Sequence, residues 1–222
     1  MTAPDATTFV PCAAVPALAV DEIHVWSLAT APGPPRAIGA AAREVLASLL
    51  CAYAGVGVAP VIERGEHGKP YAPALPELDF NLSHAGPHVL LAFARRQPLG
   101  IDVERGERRL AVDELAGRFF TANEADALAH LPAAARTAAF LALWTHKEAV
   151  LKALGAGLSF GLDRLEFAVD AHGHIAGLRA IAPEAGACAD WRLLALAPAP
   201  GLLGALAWRG PPRTVRLLAH AC

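Results

Sequence analysis

The sequence predicts an α+β fold, and three observations carry that prediction. Strand and helix patterns are segregated rather than alternating: strands at 79–82, 88–95 and 99–104 run together, and helical stretches near 112–120, 123–130 and 133–154 follow as a block. Two long helical patterns, 37–54 and 133–154, each stop at a Gly-x-Gly, Gly55/Gly57 and Gly155/Gly157, which hints at two similar halves. The length of 222 residues suits one large domain or two small ones, either able to bury a core.

The elements follow in order. Asp21 to Leu28 alternates as a half-buried strand does, and the Pro/Gly stretch 32–35 turns the chain. Ile38, Val45, Leu46, Leu49, Leu50 and Tyr53 then recur at helical spacing. Residues 60–76 read as loop and carry Arg64-Gly-Glu-His-Gly-Lys-Pro-Tyr71; three strands follow, then the charged run 105–109 and the helices. Strands near 165–169, 191–197 and 203–208 close the pattern, with His172-Gly-His174 as a polar hairpin turn. The longest uncharged apolar run, 193–208, is shorter than the ~20 residues of a spanning helix. Pro198, Pro200 and Gly201 break it, so it reads as two strands about a turn.

Composition excludes several function classes. With 21 acidic and 19 basic residues the net charge is −2, so nothing pulls the molecule as a whole toward nucleic acid or an anionic membrane. The first twenty residues lack a basic n-region and are interrupted by Pro4, Pro11 and Pro16, unlike a cleaved signal. Cys12, Cys51, Cys188 and Cys222 are too scattered for a metal or redox pair and are expected to be reduced, mostly buried thiols of a cytoplasmic protein.

The chemistry concentrates in three places. In Leu99-Gly-Ile-Asp-Val-Glu104 the strand period of two puts Asp102 and Glu104 on one face, where two like charges call for a cation between them. On the long helix Trp144, Glu148, Leu151 and Lys152 share a side flanked by apolar residues, so Glu148 and Lys152 stand at the edge of the core. A third carboxylate facing the acidic strand would complete a Mg²⁺ site with room for phosphate oxygens. Asn81-Leu-Ser-His84, placed just past a strand end, and Lys69 offer donors and charge to a phosphate.

Phe80-Asn-Leu-Ser-His84, Leu99-Gly-Ile-Asp-Val-Glu104, Phe119-Phe-Thr-Ala-Asn-Glu124, and Trp144-Thr-His-Lys-Glu-Ala-Val-Leu-Lys152 followed by Gly155-Ala-Gly-Leu-Ser159 together resemble the ordered motifs of the 4'-phosphopantetheinyl transferases, best the two-halved Sfp type. The resemblance implies two α+β halves about a pseudo-twofold, residues 1–103 on the coenzyme A nucleotide side and 104–222 carrying the metal helix, with the active site in the cleft between them. It implies Mg²⁺-dependent transfer of the phosphopantetheine arm from coenzyme A to a serine of an apo acyl or peptidyl carrier protein. Asp102, Glu104 and Glu148 would hold the metal; Lys152, His84 and Ser83 would meet coenzyme A phosphates, with Lys69 and Arg64 at the nucleotide end. The serine proton would go to Glu148, to Lys147 or to a metal-bound water.

One segment departs from the family. The basic stretch common after the first strand is replaced by Ala29-Thr-Ala-Pro-Gly-Pro-Pro-Arg36, with Arg36 or Arg43 as compensating charges. Carrier docking is expected, on a monomer, around Arg105, Arg108 and Arg109 with Leu110, Phe119 and Phe120 as apolar anchors. Two other readings use the same residues: a metal-dependent phosphoanhydride hydrolase, which would turn over coenzyme A without a carrier, and a carrier-binding scaffold, which would make no Mg²⁺-dependent product.

Overall fold

A computed structural model describes residues 8–107 and 110–220. Two sheets are stacked face to face, each backed by one long helix. The first has strand order β1(Val10–Cys12), β12(Thr214–His220), β2(Glu22–Ala29), β6(His88–Arg95), β5(Leu78–Ala85), and α1(Pro35–Ala54) packs on its outer face. The second has order β10(Trp191–Leu196), β11(Leu202–Arg209), β7(Leu99–Arg105), and α4(Ala133–Leu154) covers its outer face. Two hairpins, β3(Glu63–Arg64)/β4(Pro70–Tyr71) and β8(Leu165–Val169)/β9(Ile175–Ile181), and the short helices α2(Val112–Phe119) and α3(Ala122–His130) complete the chain.

The pleat of each strand assigns its residues to layers. In β2, Ile23 and Val25 go to the apolar layer between the sheets and Trp26 and Leu28 to α1; in β6, Leu90, Ala92 and Ala94 go inward and Val89, Leu91 and Phe93 outward. In β7, Leu99, Ile101 and Val103 fill the same inner layer, which turns Gly100, Asp102 and Glu104 to the face that meets α4. The expectation that Asp102 and Glu104 share a face therefore holds, and the face is the one covered by the helix that carries Glu148.

Both long helices end on a glycine in the left-handed region, Gly55 at φ 68° and Gly155 at φ 69°, as the Gly-x-Gly stops predict. By length and composition α1 could cross a membrane, but Ile38, Ala42, Leu46, Leu49, Leu50 and Tyr53 are buried on the first sheet. Helix α4 is buried nearly all round, between β7 and β11 on one side and α2 and α3 on the other.

Several expectations need correction. A boundary at 103/104 falls inside β7, a strand of the second sheet, and β12 returns to the first sheet to lie parallel to both β1 and β2. Asn81 to His84 lie within β5 rather than past a strand end. Cys12, Cys51 and Cys188 are free, as expected, but each is partly exposed rather than buried. The His172-Gly-His174 turn is as predicted, its two histidine N–H groups donating to the Asp170 carboxylate.

Candidate functional site

The site begins with a close approach. A Cβ on Gly100 would stand 2.1 Å from the Ala149 carbonyl oxygen and 2.4 Å from the Ala153 nitrogen, so only glycine lets β7 lie directly on the α4 backbone. That contact sets Asp102 against the helix side that presents Glu148 and Lys152.

Asp102 is buried, and its Oδ1 accepts from Ser83 Oγ and from Lys152 Nζ, each at 2.7 Å. Its Oδ2 is buried with no hydrogen-bond partner, an arrangement that costs about 1–3 kcal/mol when nothing binds there. Lys152 also donates to the Ile101 carbonyl at 3.1 Å. Glu148, half-buried one helical turn earlier, has its carboxyl pushed up chiefly by burial; Lys152 opposes that shift, and the charges of Asp102 and Glu104 reinforce it. The three carboxylates thus lie within one another's field. Among the described residues, however, no three Asp, Glu, His or Cys side chains converge as a ready-made metal cage.

The open edge of β7 is closed by side chains of β5 rather than by another strand. Asn81 Oδ1 accepts from the Ile101 N–H at 2.9 Å, and Ser83 reaches Asp102 two residues on. These polar residues lie inside a strand rather than just past its end, and they tie the two sheets together beneath the site.

Glu148, Lys152, His84, Arg64 and Lys69 line one cleft of about 620 Å³, whose opposite wall is apolar, from Gly39, Ala42, Leu46 and Ile62. Arg43 also lines it and Arg36 does not, which makes Arg43 the better-placed replacement for the missing basic segment. An adjoining hollow of about 540 Å³ shares His84 and is bordered by Glu104, Arg105 and Glu107. At the mouth, Gly157 at φ 63° lets the loop after α4 approach His67, whose Cβ would lie 3.2 Å from a side chain placed there. His67 and this loop contact were not anticipated.

Not every expected residue is free to act. Ser83 is buried and bonded to Asp102, so it orients a carboxylate rather than facing solvent. Arg64 is exposed and braces its own loop through the Gly68 carbonyl at 2.9 Å. Lys69 points inward to the carbonyls of Leu99 at 3.0 Å and Ala153 at 3.3 Å.

Lys147 is excluded as a base. It is fully buried on the side of α4 away from the cleft, paired with Glu124 Oε2 at 2.7 Å and donating to the Leu162 carbonyl at 2.8 Å and to that of Leu165. Three acceptors use all three of its protons. Glu124 also closes a capping box with Thr121 and accepts from the Phe167 N–H, so one pair fixes α3, the loop after α4 and the rotation of α4 itself. The Thr-x-x-Glu spacing at 121–124 was a legible signal for the cap.

Phe120 is also core, stacked on Phe140, and not an exposed anchor. Leu110 and Phe119 are partly buried against the same core; Arg105 is exposed, 3.8 Å from Glu107. Arg108 and Arg109 lie outside the described residues.

Comparison with known proteins accords with this geometry. Residues 98–193, from β7 to β10, match the model of the 4'-phosphopantetheinyl transferase superfamily. The chain is 37% identical over 110 residues to a 4'-phosphopantetheinyl transferase of Bacillus subtilis, covering 50% of this chain and 48% of that protein. It is 41% identical over 107 residues to 4'-phosphopantetheinyl transferase Sfp of Bacillus subtilis strain 168, covering 48% and 46%. With 4'-phosphopantetheinyl transferase HetI of Nostoc sp. the identity is 36% over 133 residues, covering 58% and 56%. The matches span about half the length of these curated relatives. The strand that bears Asp102 and Glu104 and the helix that bears Glu148 and Lys152 both lie within the stretch that matches the 4'-phosphopantetheinyl transferase superfamily.

Proposed function

We propose that this chain transfers the 4'-phosphopantetheine arm of coenzyme A to a serine hydroxyl of an apo acyl or peptidyl carrier protein, releasing adenosine 3',5'-bisphosphate. The observation that carries the reading is the buried, partnerless Asp102 Oδ2, with Lys152 on the other oxygen of the same carboxylate and Glu148 in a cleft of about 620 Å³.

That set fits a hard divalent cation. Mg²⁺ usually keeps several waters and shares its coordination between protein carboxylates and substrate phosphates, so a preformed three-ligand cage is not required. Asp102 and Glu148, with Glu104 from the strand end, would hold it; Asp102 Oδ2 lacks a partner, and a cation would offset both the burial that chiefly raises the Glu148 carboxyl and the Asp102 and Glu104 charges that add to it. Bound there, Mg²⁺ would neutralise charge on the pyrophosphate of coenzyme A.

The chain's own residues supply the rest. Lys152 brings a fixed positive charge to the cleft floor, where phosphate oxygens would compete with Asp102 for its protons. His84, exposed and shared by both hollows, is suited to a phosphate oxygen, and Arg43 supplies charge at the nucleotide end. As the serine oxygen bonds to the phosphorus, the bond to adenosine 3',5'-bisphosphate breaks, and the serine proton leaves. With Lys147 excluded, Glu148 is the remaining side chain of those considered for that proton. Positioning and charge account for most of the catalysis in such a transfer.

The carrier would dock on the exposed edge at Arg105 with the partly buried Leu110 and Phe119 beside it, on a monomer in the cytoplasm. Incubation with coenzyme A, Mg²⁺ and a panel of apo carrier domains, followed by mass measurement, tests the reading. A gain of one phosphopantetheine, lost when Mg²⁺ is chelated, is expected; no gain on any carrier would overturn it.

A further inference from the structure

Lys69 has a different task from the one its Gly-Lys-Pro setting suggests. Its stem, leaving the β3/β4 hairpin, crosses Gly155, with its Cδ 3.7 Å from where a side chain on that residue would start. Its ammonium then reaches two carbonyls, that of Leu99 at the start of β7 and that of Ala153 in the last turn of α4. The Ala153 carbonyl is one of the four at a helix end that lack an intrahelical partner, and a cation there also suits the helix dipole.

One side chain therefore ties the strand of Asp102 to the helix of Glu148 and Lys152, at the end where the two elements converge on Gly100. It also forms the partition between the cleft and a second cavity of about 570 Å³ walled by Pro70, Tyr71, Asp79 and Pro98. Burial lowers the ammonium to about 8, and only the field of Asp79 opposes that. A side chain built to greet a phosphate would hold its charge toward the cleft; this one turns it to the backbone.

We infer that Lys69 is a positioning residue, a clamp that holds β7 on the end of α4 and so fixes Asp102 relative to Glu148 and Lys152. The inference rests on the proposed transfer reaction, and it predicts that loss of the clamp slows the transfer step rather than weakening the hold on one phosphate. Small misplacements of reacting groups cost up to about a hundredfold in rate, and a partial loosening is expected to cost roughly tenfold.

The test compares the wild-type chain with Lys69→Met on coenzyme A and on 3'-dephospho-coenzyme A, with apo carrier and Mg²⁺. The clamp predicts a roughly tenfold fall in kcat with both substrates and an unchanged ratio of their KM values. A KM that rises for coenzyme A alone would overturn it in favour of a contact to the 3'-phosphate, and an unchanged kcat would overturn it outright. If Lys69→Met does not fold, Lys69→Gln, too short to reach both carbonyls, is read by the same criteria. Hydrogen exchange on both proteins without substrate separates this inference from the proposed function. Peptides covering 99–105 and 148–154 should exchange at least about threefold faster in the variant. Equal exchange overturns the clamp even if the wild type transfers, whereas faster exchange in a chain that modifies no carrier overturns only the function.

Discussion

Helix α4 carries two lysines five residues apart, each 2.7 Å from a carboxylate, and they do opposite things. Lys147 faces the back of the helix, where it and Glu124 are wholly buried and every proton has an acceptor. Lys152 faces the cleft, partly exposed, on a carboxylate whose second oxygen has no partner. The difference teaches that completeness, not distance, separates an ion pair that builds a fold from one that awaits a ligand. A saturated pair has nothing left to bind with, whereas an unsaturated one carries a cost that a cation or phosphate can remove.

The largest expected effect breaks the back-face pair. Lys147→Met leaves Glu124 buried without its cation and should lower stability by about 3–5 kcal/mol in urea unfolding. Lys147→Met with Glu124→Leu should recover much of that loss. If the single variant were as stable as wild type but inactive, Lys147 would have to be returned to the catalytic group.

Asp102→Asn tests the other face. The amide keeps the shape and removes the charge, so transfer should fall at least about a hundredfold, or about 2.7 kcal/mol, while the melting temperature moves little. A large loss of stability with retained activity would reverse the comparison between the two faces.

Gly100→Ala addresses the contact that brings the cleft face to its strand. Added bulk here meets helix backbone rather than a side chain that can turn aside, so helix and strand must part, at about 1–3 kcal/mol of stability. Activity should fall further than that stability loss alone explains, because Asp102 moves from Lys152. Equal activity per folded molecule would show that the spacing is not critical.

The smallest effect concerns protons on the back face. His146 is buried beside Phe167, its pKa held below the ordinary value by desolvation, with the Ala142 carbonyl opposing. His24, buried in a chain with Tyr53 and Glu22, is also lowered by burial. The unfolded chain takes up these protons first, so the stability they contribute is full above about pH 6.5 and declines as pH falls below it. His146→Gln should lessen that slope by up to one proton, about 1.4 kcal/mol per pH unit, in urea titrations between pH 5 and 7. An unaltered slope would assign the acid loss to His24 and other groups.

Much of this arrangement was legible in the sequence where the signal is local. The α1 and α4 patterns, their glycine stops and the shared face of Asp102 and Glu104 depend on neighbours within a turn or two. What was not legible depends on distant partners. Asn81 and Ser83 look like donors at a strand end until β7 presents an open edge for them to close. Lys147 and Lys152 look alike until Glu124, twenty-three residues before Lys147, fixes which faces inward. Strand β12 mixes polar and apolar residues too irregularly to announce itself, because it is framed by strands on both sides yet exposed along much of one face.

That last strand also bears on the order of synthesis. Because β12 lies between β1 and β2, the first sheet cannot be completed until Thr214 to His220 have left the ribosome, although β2, β6 and β5 were made more than a hundred residues earlier. The second sheet, by contrast, has all its strands once Arg209 is made. The nascent chain thus finishes its later sheet first and closes its earlier one by a long-range parallel pairing, the slow kind of contact to form. Chains cut short before β12 would leave β1 unpaired and an edge of β2 bare, a surface on which aggregation starts and quality control acts.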